Sequence, residues 1–199
     1  VESDQRPRRL RLITPTSGVA SAEAAPSGLD PEQPIAPPVD LTTAFRAYGR
    51  YVAYIGMRIL GRQADVDDLV QDVFLDAVRG LDKLRDPAAA KGWLATLTVR
   101  KAHRALKRRR MRWHFGLDEG ADYGEIVDPS ASAAERTLVA DLYRLLDGVS
   151  ADERVAWTLR HLEGEPLERV AALCGCSLAT AKRRIAAAHN VLSAELADD

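Results

Sequence analysis

Five carboxylates, Asp65, Asp67, Asp68, Asp72 and Asp76, fall within twelve residues that hold no Lys or Arg. Between Arg100 and Arg112 the chain reverses sign, with eight Lys or Arg and no acid. A third charged cluster, Lys182-Arg183-Arg184, meets no acid before Glu195. Cations at such density track a phosphate backbone. Trp93 precedes the long basic run, and Trp113 and Phe115 follow it. Aromatic rings beside cations can stack unpaired bases, although Trp93 also suits a core position. The acidic cluster has a different use. Asp65 is placed as the N-cap of a helix, and with Asp67 it suits the first turn. Capping does not account for Asp72 and Asp76. An acidic stripe beside an apolar face suits a basic protein partner.

Enzyme chemistry finds no foothold. His103, His114, His161 and His189 are scattered, without a helical metal-binding pair. Cys174-x-Cys176 lacks the second ligand pair that zinc needs. There is no Gly-rich phosphate loop and no nucleophile elbow. No catalytic residue, metal or cofactor is expected. The two Cys suit small apolar positions flanking a turn.

The elements that must hold these clusters are helical. The 199 residues carry 46% apolar and 6% aromatic residues with a net charge of −1. A uniformly basic nucleic-acid coat is therefore excluded. Ala and Leu are frequent, and no stretch shows period-two alternation. Residues 1–40 hold seven of the ten Pro and no aromatic, so a disordered tail is predicted. Phe45, Tyr48, Val52, Ile55 and Ile59 line one face of a first helix, ended by Gly61. Leu69, Val70, Val73, Phe74, Ala77, Val78 and Leu81 line a second. A third begins near Lys91. Residues 114–133, with three Gly and Pro129, read as a linker. Helical spacing resumes at Leu138, and again after a Ser150 cap. The predicted architecture is all-α, with two small helical domains at 41–113 and 134–199 joined by a flexible tether. No apolar run approaches the roughly 18 residues of a membrane span, and no apolar segment follows the N-terminal arginines as a signal peptide requires. Two lone Cys suit a reducing cytoplasm.

The C-terminal segment meets the requirements of a helix-turn-helix. Leu167, Val170 and Ala171 lead to Cys174-Gly175-Cys176-Ser177, then to Thr180, Ile185 and Ala188. Gly175 can turn the chain left-handed, and Ser177 can cap the next helix.

Taken in order, these clusters resemble a known family. Asp65-Val-Asp-Asp-Leu-Val-Gln-Asp-Val-Phe-Leu75 resembles the polymerase-binding helix of region two in sigma factors. Trp93-Leu94 leading to Lys107-Arg108-Arg109-Arg110 resembles its promoter-melting helix. Leu159-Arg-His-Leu-Glu-Gly164 followed by the turn motif resembles region four. With no region-three domain between them, residues 42–195 resemble an extracytoplasmic-function sigma factor. The resemblance implies that Asp67, Asp68, Gln71 and Asp72 meet the clamp helices of the polymerase largest subunit, and that region four meets the flap. It implies that the loop from Leu81 to Lys91 holds a base flipped from the minus-ten element. Lys91, Trp93, Arg100, Lys101, Arg104, Lys107 and Arg108 would face opened promoter DNA. Ser177, Leu178, Thr180, Lys182, Arg183 and Arg184 would read the minus-thirty-five element. Arg100 and Arg104 stand where the family usually has Asn and Asp, which raises the charge of the melting helix. Such a protein is a cytoplasmic monomer when free, works with an anti-sigma factor, and inserts in no membrane. Two other readings fit the residues alone. One is a stand-alone helix-turn-helix regulator dimerising through the Phe45–Ile59 stripe. The other is an adaptor that binds protein only.

Six to eight cations of the basic run on phosphate would lower promoter affinity by about 10³–10⁵ between 50 and 200 mM salt. A fluorescence-anisotropy titration measures that slope directly.

Overall fold

The computed structural model describes residues 40–84, 86–117, 123 and 131–195. The predicted tail over 1–40, apart from Asp40, and most of the linker lie outside the described residues. Within them the chain is all-α with no strand, as the residue pattern predicts. Helix α1 (Leu41–Leu60) starts where the Asp40 side chain accepts the Thr43 amide at 2.9 Å. It ends at Gly61, whose φ of 76° a side chain rarely tolerates. A Cβ there would stand 2.6 Å from the Tyr143 ring and 2.9 Å from the Tyr123 ring.

Helix α2 (Gln63–Val78) begins three residues earlier than an Asp65 N-cap implies, with Arg62 at the cap position. Asp65 is therefore not its N-cap. It lies in the first turn and faces Arg109 at 3.3 Å. Leu81, placed by periodicity on α2, lies beyond the Gly80 turn in a short 3₁₀ segment. Helix α3 (Ala90–His114) is the longest, and its first half packs on α1 and α2. Ile59, Leu60, Val66, Val73, Leu94 and Val99 are essentially sealed from solvent there. Each such side chain contributes about 1.5–3 kcal/mol by leaving water.

The C-terminal half comprises α4 (Ala133–Gly148), α5 (Ala151–Trp157), α6 (Leu167–Cys174) and α7 (Leu178–Glu195). Ser132 and Ser150 each form a reciprocal capping box, with Glu135 and Glu153, so α4 and α5 start where they must. A π-helical turn, Thr158–Leu162, continues α5.

The tether gives no hint of how the two halves meet. Helix α3 packs on α5 and α6 as well as on α1 and α2. One apolar core runs from Leu94, Val99 and Leu106 into Val155, Leu159, Val170 and Leu173. The polar centre of this joint is the C-terminal end of α1. The last carbonyls of any helix lack intrahelical donors and carry its negative dipole end. Here they are met from the other elements. The Tyr143 hydroxyl donates to Arg58 O at 2.7 Å. Arg154 donates to Ile59 O and Leu60 O, both at 3.0 Å, and Arg109 donates to Leu60 O at 3.1 Å. Asp147 accepts from Arg109 at 2.6 Å, from Arg154, and from the Tyr123 hydroxyl. Burial pushes the Tyr143 hydroxyl up to about 12, which keeps its proton available for donation. Beside this cluster, Glu163 accepts from Arg58 and from the Tyr54 hydroxyl.

Arg154 is only 2% exposed, and its removal strands Ile59 O and takes one donor each from Leu60 O and Asp147, which keep Arg109. Arg154→Ala is expected to cost about 3–5 kcal/mol of stability. A urea-denaturation midpoint equal to that of the parent chain would refute this role.

Candidate polymerase and promoter surfaces

The acidic helix presents a single outward stripe. Asp68, Gln71, Asp72 and Leu75 recur at spacings of three, four and seven, which places them on one face of α2. Asp67, Asp68 and Gln71 are exposed and Asp72 is half-buried. No ion pair among the described residues engages Asp68 or Asp72. Asp67 accepts from Gln63 at 2.8 Å. Leu75 at 66% and Val78 at 48% exposure extend the stripe with uncovered apolar surface. Asp76 behaves differently. It pairs with Lys101 at 2.6 Å, and that hydrogen bond holds its carboxyl below the usual carboxylate range. Three of the five clustered acids, Asp67, Asp68 and Asp72, therefore split from Asp65 and Asp76, which face cations of the chain itself.

The segment between α2 and α3 folds back as two 3₁₀ turns, Leu81–Lys83 and Pro87–Ala89. Trp93 is half-buried with its ring against Gly80, at the base of this loop. It packs against the core, so the core position favoured by its spacing holds. Lys91 is exposed, with its ammonium 4.9 Å from the centre of the Tyr51 ring.

Along α3 the cations sort by helical phase. Arg100, Arg104, Lys107 and Arg108 are exposed. Lys101 is held by Asp76, and Lys107 lies 3.5 Å from Asp152 of α5. Arg109 is not part of the outward face, because it follows Val99, Ala102 and Leu106 on the buried side. Its guanidinium belongs to the joint, so no more than seven cations of the run are left for phosphate. Beyond them Trp113 and Phe115 stand exposed, at 64% and 71%.

The turn motif forms as its residues require. Gly175 takes φ 62° after α6, and the Ser177 hydroxyl accepts the Thr180 amide at 3.2 Å. Ser177, Leu178, Lys182 and Arg183 are exposed at the N-terminal end of α7. Thr180 is half-buried, and Arg184 turns toward Asp152 at 2.6 Å.

Two family models match these two halves. Sigma-70 region 2 covers residues 44–112, and sigma-70 region 4 covers 140–188. The chain belongs to the sigma-70 family. Its relatives place it among the extracytoplasmic-function members. It is 29% identical over 137 residues to the ECF RNA polymerase sigma-E factor of Escherichia coli (strain K12), spanning 64% of this chain and 72% of that one. Its fold matches the sigma factor RpoE of Bartonella quintana, solved with the anti-sigma factor NepR. The TM-score is 0.59 at 23% identity, covering 81% of this chain and 99% of that one. It also matches CnrH, solved with the cytosolic domain of CnrY, with a TM-score of 0.53 at 24% identity over 80% and 88% of the two chains. A sigma factor gives core RNA polymerase its promoter specificity, with region 2 reading the minus-ten element and region 4 the minus-thirty-five element. The family is one of initiation factors rather than catalysts.

In this sigma factor the residues that pin the joint escaped the sequence reading. Arg58, Arg109 and Arg154 each continue an apolar helical stripe, three residues after Ile55, three after Leu106 and three after Ala151. A cation in core phase is the signal that could have identified them. Asp147, Tyr123 and Tyr143 carry no such mark. Most of the stripe that a stand-alone regulator would use as a dimer seam is taken up inside the chain. Val52, Ile55 and Ile59 are buried within the chain, and Phe45 packs edge-on against Phe74 at 4.9 Å.

Cys174 and Cys176 are partly buried against the core, beside the turn. Burial pushes the Cys174 thiol up to about 11. At pH 8 its thiolate fraction is therefore about 10⁻³. Alkylation of Cys174 should be slow there and rise about tenfold per pH unit toward pH 10. Peptide mapping after iodoacetamide reads that rate, and a flat profile would contradict the burial.

Proposed function

We propose that the α2 stripe is the polymerase-docking surface, with Asp67, Asp68, Gln71 and Asp72 facing the clamp helices of the largest subunit. The observation that carries this is the stripe's charge left unspent inside the chain. Asp76 is neutralised by Lys101, while Asp68 and Asp72 meet no cation among the described residues and adjoin the uncovered Leu75 and Val78. A basic partner with apolar neighbours gains on both counts.

Region 2, over 41–113, then supplies the melting surface. The loop from Leu81 to Lys91, walled by Trp93, takes a base extruded from the minus-ten element. Unstacking a base costs a few kcal/mol, which a fitted pocket offsets. Arg100, Lys101, Arg104, Lys107 and Arg108 guide the opened strand. Region 4, over 134–199, places the N-terminal end of α7 in the major groove, with Ser177, Leu178, Thr180, Lys182, Arg183 and Arg184 at the minus-thirty-five element. The helix N-terminus adds amide donors for a phosphate. Nucleotidyl transfer belongs to the polymerase, and this chain contributes specificity and strand opening. It works where the polymerase and chromosome are, in the cytoplasm. An anti-sigma partner is consistent with the complexes in which CnrH and RpoE were solved.

Asp68→Asn together with Asp72→Asn should weaken core-polymerase binding by at least about tenfold, since close charge pairs across an interface commonly couple by more than 1.4 kcal/mol. Helicity and thermal midpoint should stay unchanged, because neither carboxylate is paired among the described residues. Core binding by gel filtration and run-off transcription measure the loss. Normal initiation by this double variant would overturn the docking assignment.

A further inference from the structure

A cavity of about 320 Å³ opens beside the C-terminal end of α3. Leu106 of α3 and Leu146 of α4 give it an apolar floor. Five guanidiniums line it, those of Arg62, Arg109, Arg110, Arg144 and Arg154. Among its described lining residues Asp147 is the sole carboxylate and Trp113 the sole aromatic ring. Arg109 and Arg154 are buried and bound to Asp147. Arg110 and Arg144 are exposed. Arg110 donates through Nη1 to Val149 O at 3.1 Å, and Arg144 pairs through Nη1 with Asp141. A guanidinium carries five N–H donors, so most of each of these two forks has no partner among the described residues.

The charges around the cavity do not cancel. Asp147, Asp65 at 3.9 Å from Arg62, and Asp141 beside Arg144 leave an excess of two cations over carboxylates. Such an excess above an apolar floor selects an anion that also has an apolar part. The volume lies at the low end of small-molecule pockets, so it fits one compact ligand. Trp113 is 64% exposed, which places its ring at the rim, where it can cover a planar ring entering the cavity. Guanidinium forks match phosphate oxygens in pairs. A purine nucleotide meets these demands together, with a flat base for the indole and floor and phosphates for the forks. A nucleotide inside a DNA strand carries a single charge. A free triphosphate gathers several at one end, which suits two adjacent forks better.

We propose that this cavity binds a free purine nucleoside triphosphate, with its base under Trp113 and its phosphates on Arg110 and Arg144. The site is separate from the promoter surfaces, because neither arginine is among the residues assigned to the opened strand or to the minus-thirty-five element. The sigma reading therefore stands whether or not the nucleotide binds. The cations that hold the phosphates are exposed, so added salt weakens the complex.

The test uses the full chain and isothermal titration calorimetry with ATP. Adenosine and inorganic tripolyphosphate, titrated separately, divide the base from the phosphates. ATP should bind with a dissociation constant of about 10–100 μM, and each fragment at least about tenfold more weakly. Arg110→Gln and Arg144→Gln should each weaken ATP binding about tenfold. Trp113→Ala should weaken it at least about fivefold. Arg183→Gln, which removes an exposed cation of α7 outside the cavity, should match the parent. If Arg110→Gln loses helicity by circular dichroism, Arg144→Gln decides, since the only carboxylate it leaves is Asp141 of the same helix. No heat of binding up to about 1 mM ATP overturns the proposal. So does an equal loss in Arg183→Gln, which marks general attraction to cations. Tripolyphosphate binding as tightly as ATP removes the role of the base and overturns it too. A short oligothymidylate that displaces ATP at micromolar concentration assigns the cavity to the opened strand instead.

Discussion

The last carbonyls of α1 fix the geometry of everything else. A helix C-terminus buried in protein has to be met by donors, because unsatisfied carbonyls away from water are costly. This chain meets them with Tyr143, Arg154 and Arg109 rather than with water or a local cap alone. Gly61 makes the arrangement possible by ending the helix without a side chain, so two tyrosine rings approach its backbone. Asp147 then neutralises the two guanidiniums that the carbonyls draw in. Each piece is destabilising without the others. The cluster joins region 2, the linker and region 4 at one point.

Charge is spent in two ways across the molecule. Some carboxylates are used internally. Asp76 holds Lys101, Asp152 holds Arg184 and Asp147 holds the joint. Burial alone would raise the Asp152 carboxyl, but His103, Arg184 and Lys107 outweigh it and lower it. Others, Asp67, Asp68 and Asp72, lie on the outward face of α2 and meet no cation among the described residues. The cations divide in the same way, with Arg109 and Arg154 internal and Arg100, Arg104, Lys182 and Arg183 outward. A net charge of −1 thus conceals a strongly polarised surface. That polarity is what an initiation factor needs, because it must face a basic protein surface and a phosphate backbone at once.

The helical elements and their charged faces were legible from the residues. The 3.6-residue spacing in α1 and α3, the serine capping boxes and the glycine turn all act within one or two turns of chain. Local rules therefore suffice for them. The N-terminal end of α2 was misplaced for an instructive reason. Asp65 has the residue type of a cap, but a long-range partner, Arg109, claims it for the joint. Trp93, expected both at a core position and beside opened DNA, packs against the core because its spacing continues the apolar opening of α3. Arg109 was read only as a member of the basic run, because such a run obscures a single residue in core phase.

The sequence by itself determined the two helical units, the turn motif, the acidic stripe and the basic faces, since each depends on periodicity and composition over short spans. It also determined the family, through the order of those units. Only the tertiary structure decided that the two units close on each other, and which charges remain outward when they do. The physical reason is that Asp147, Asp152 and Tyr123 act on groups that belong to other elements of the fold. Nothing in their neighbours along the chain distinguishes a carboxylate or hydroxyl in water from one that binds two guanidiniums at a helix end.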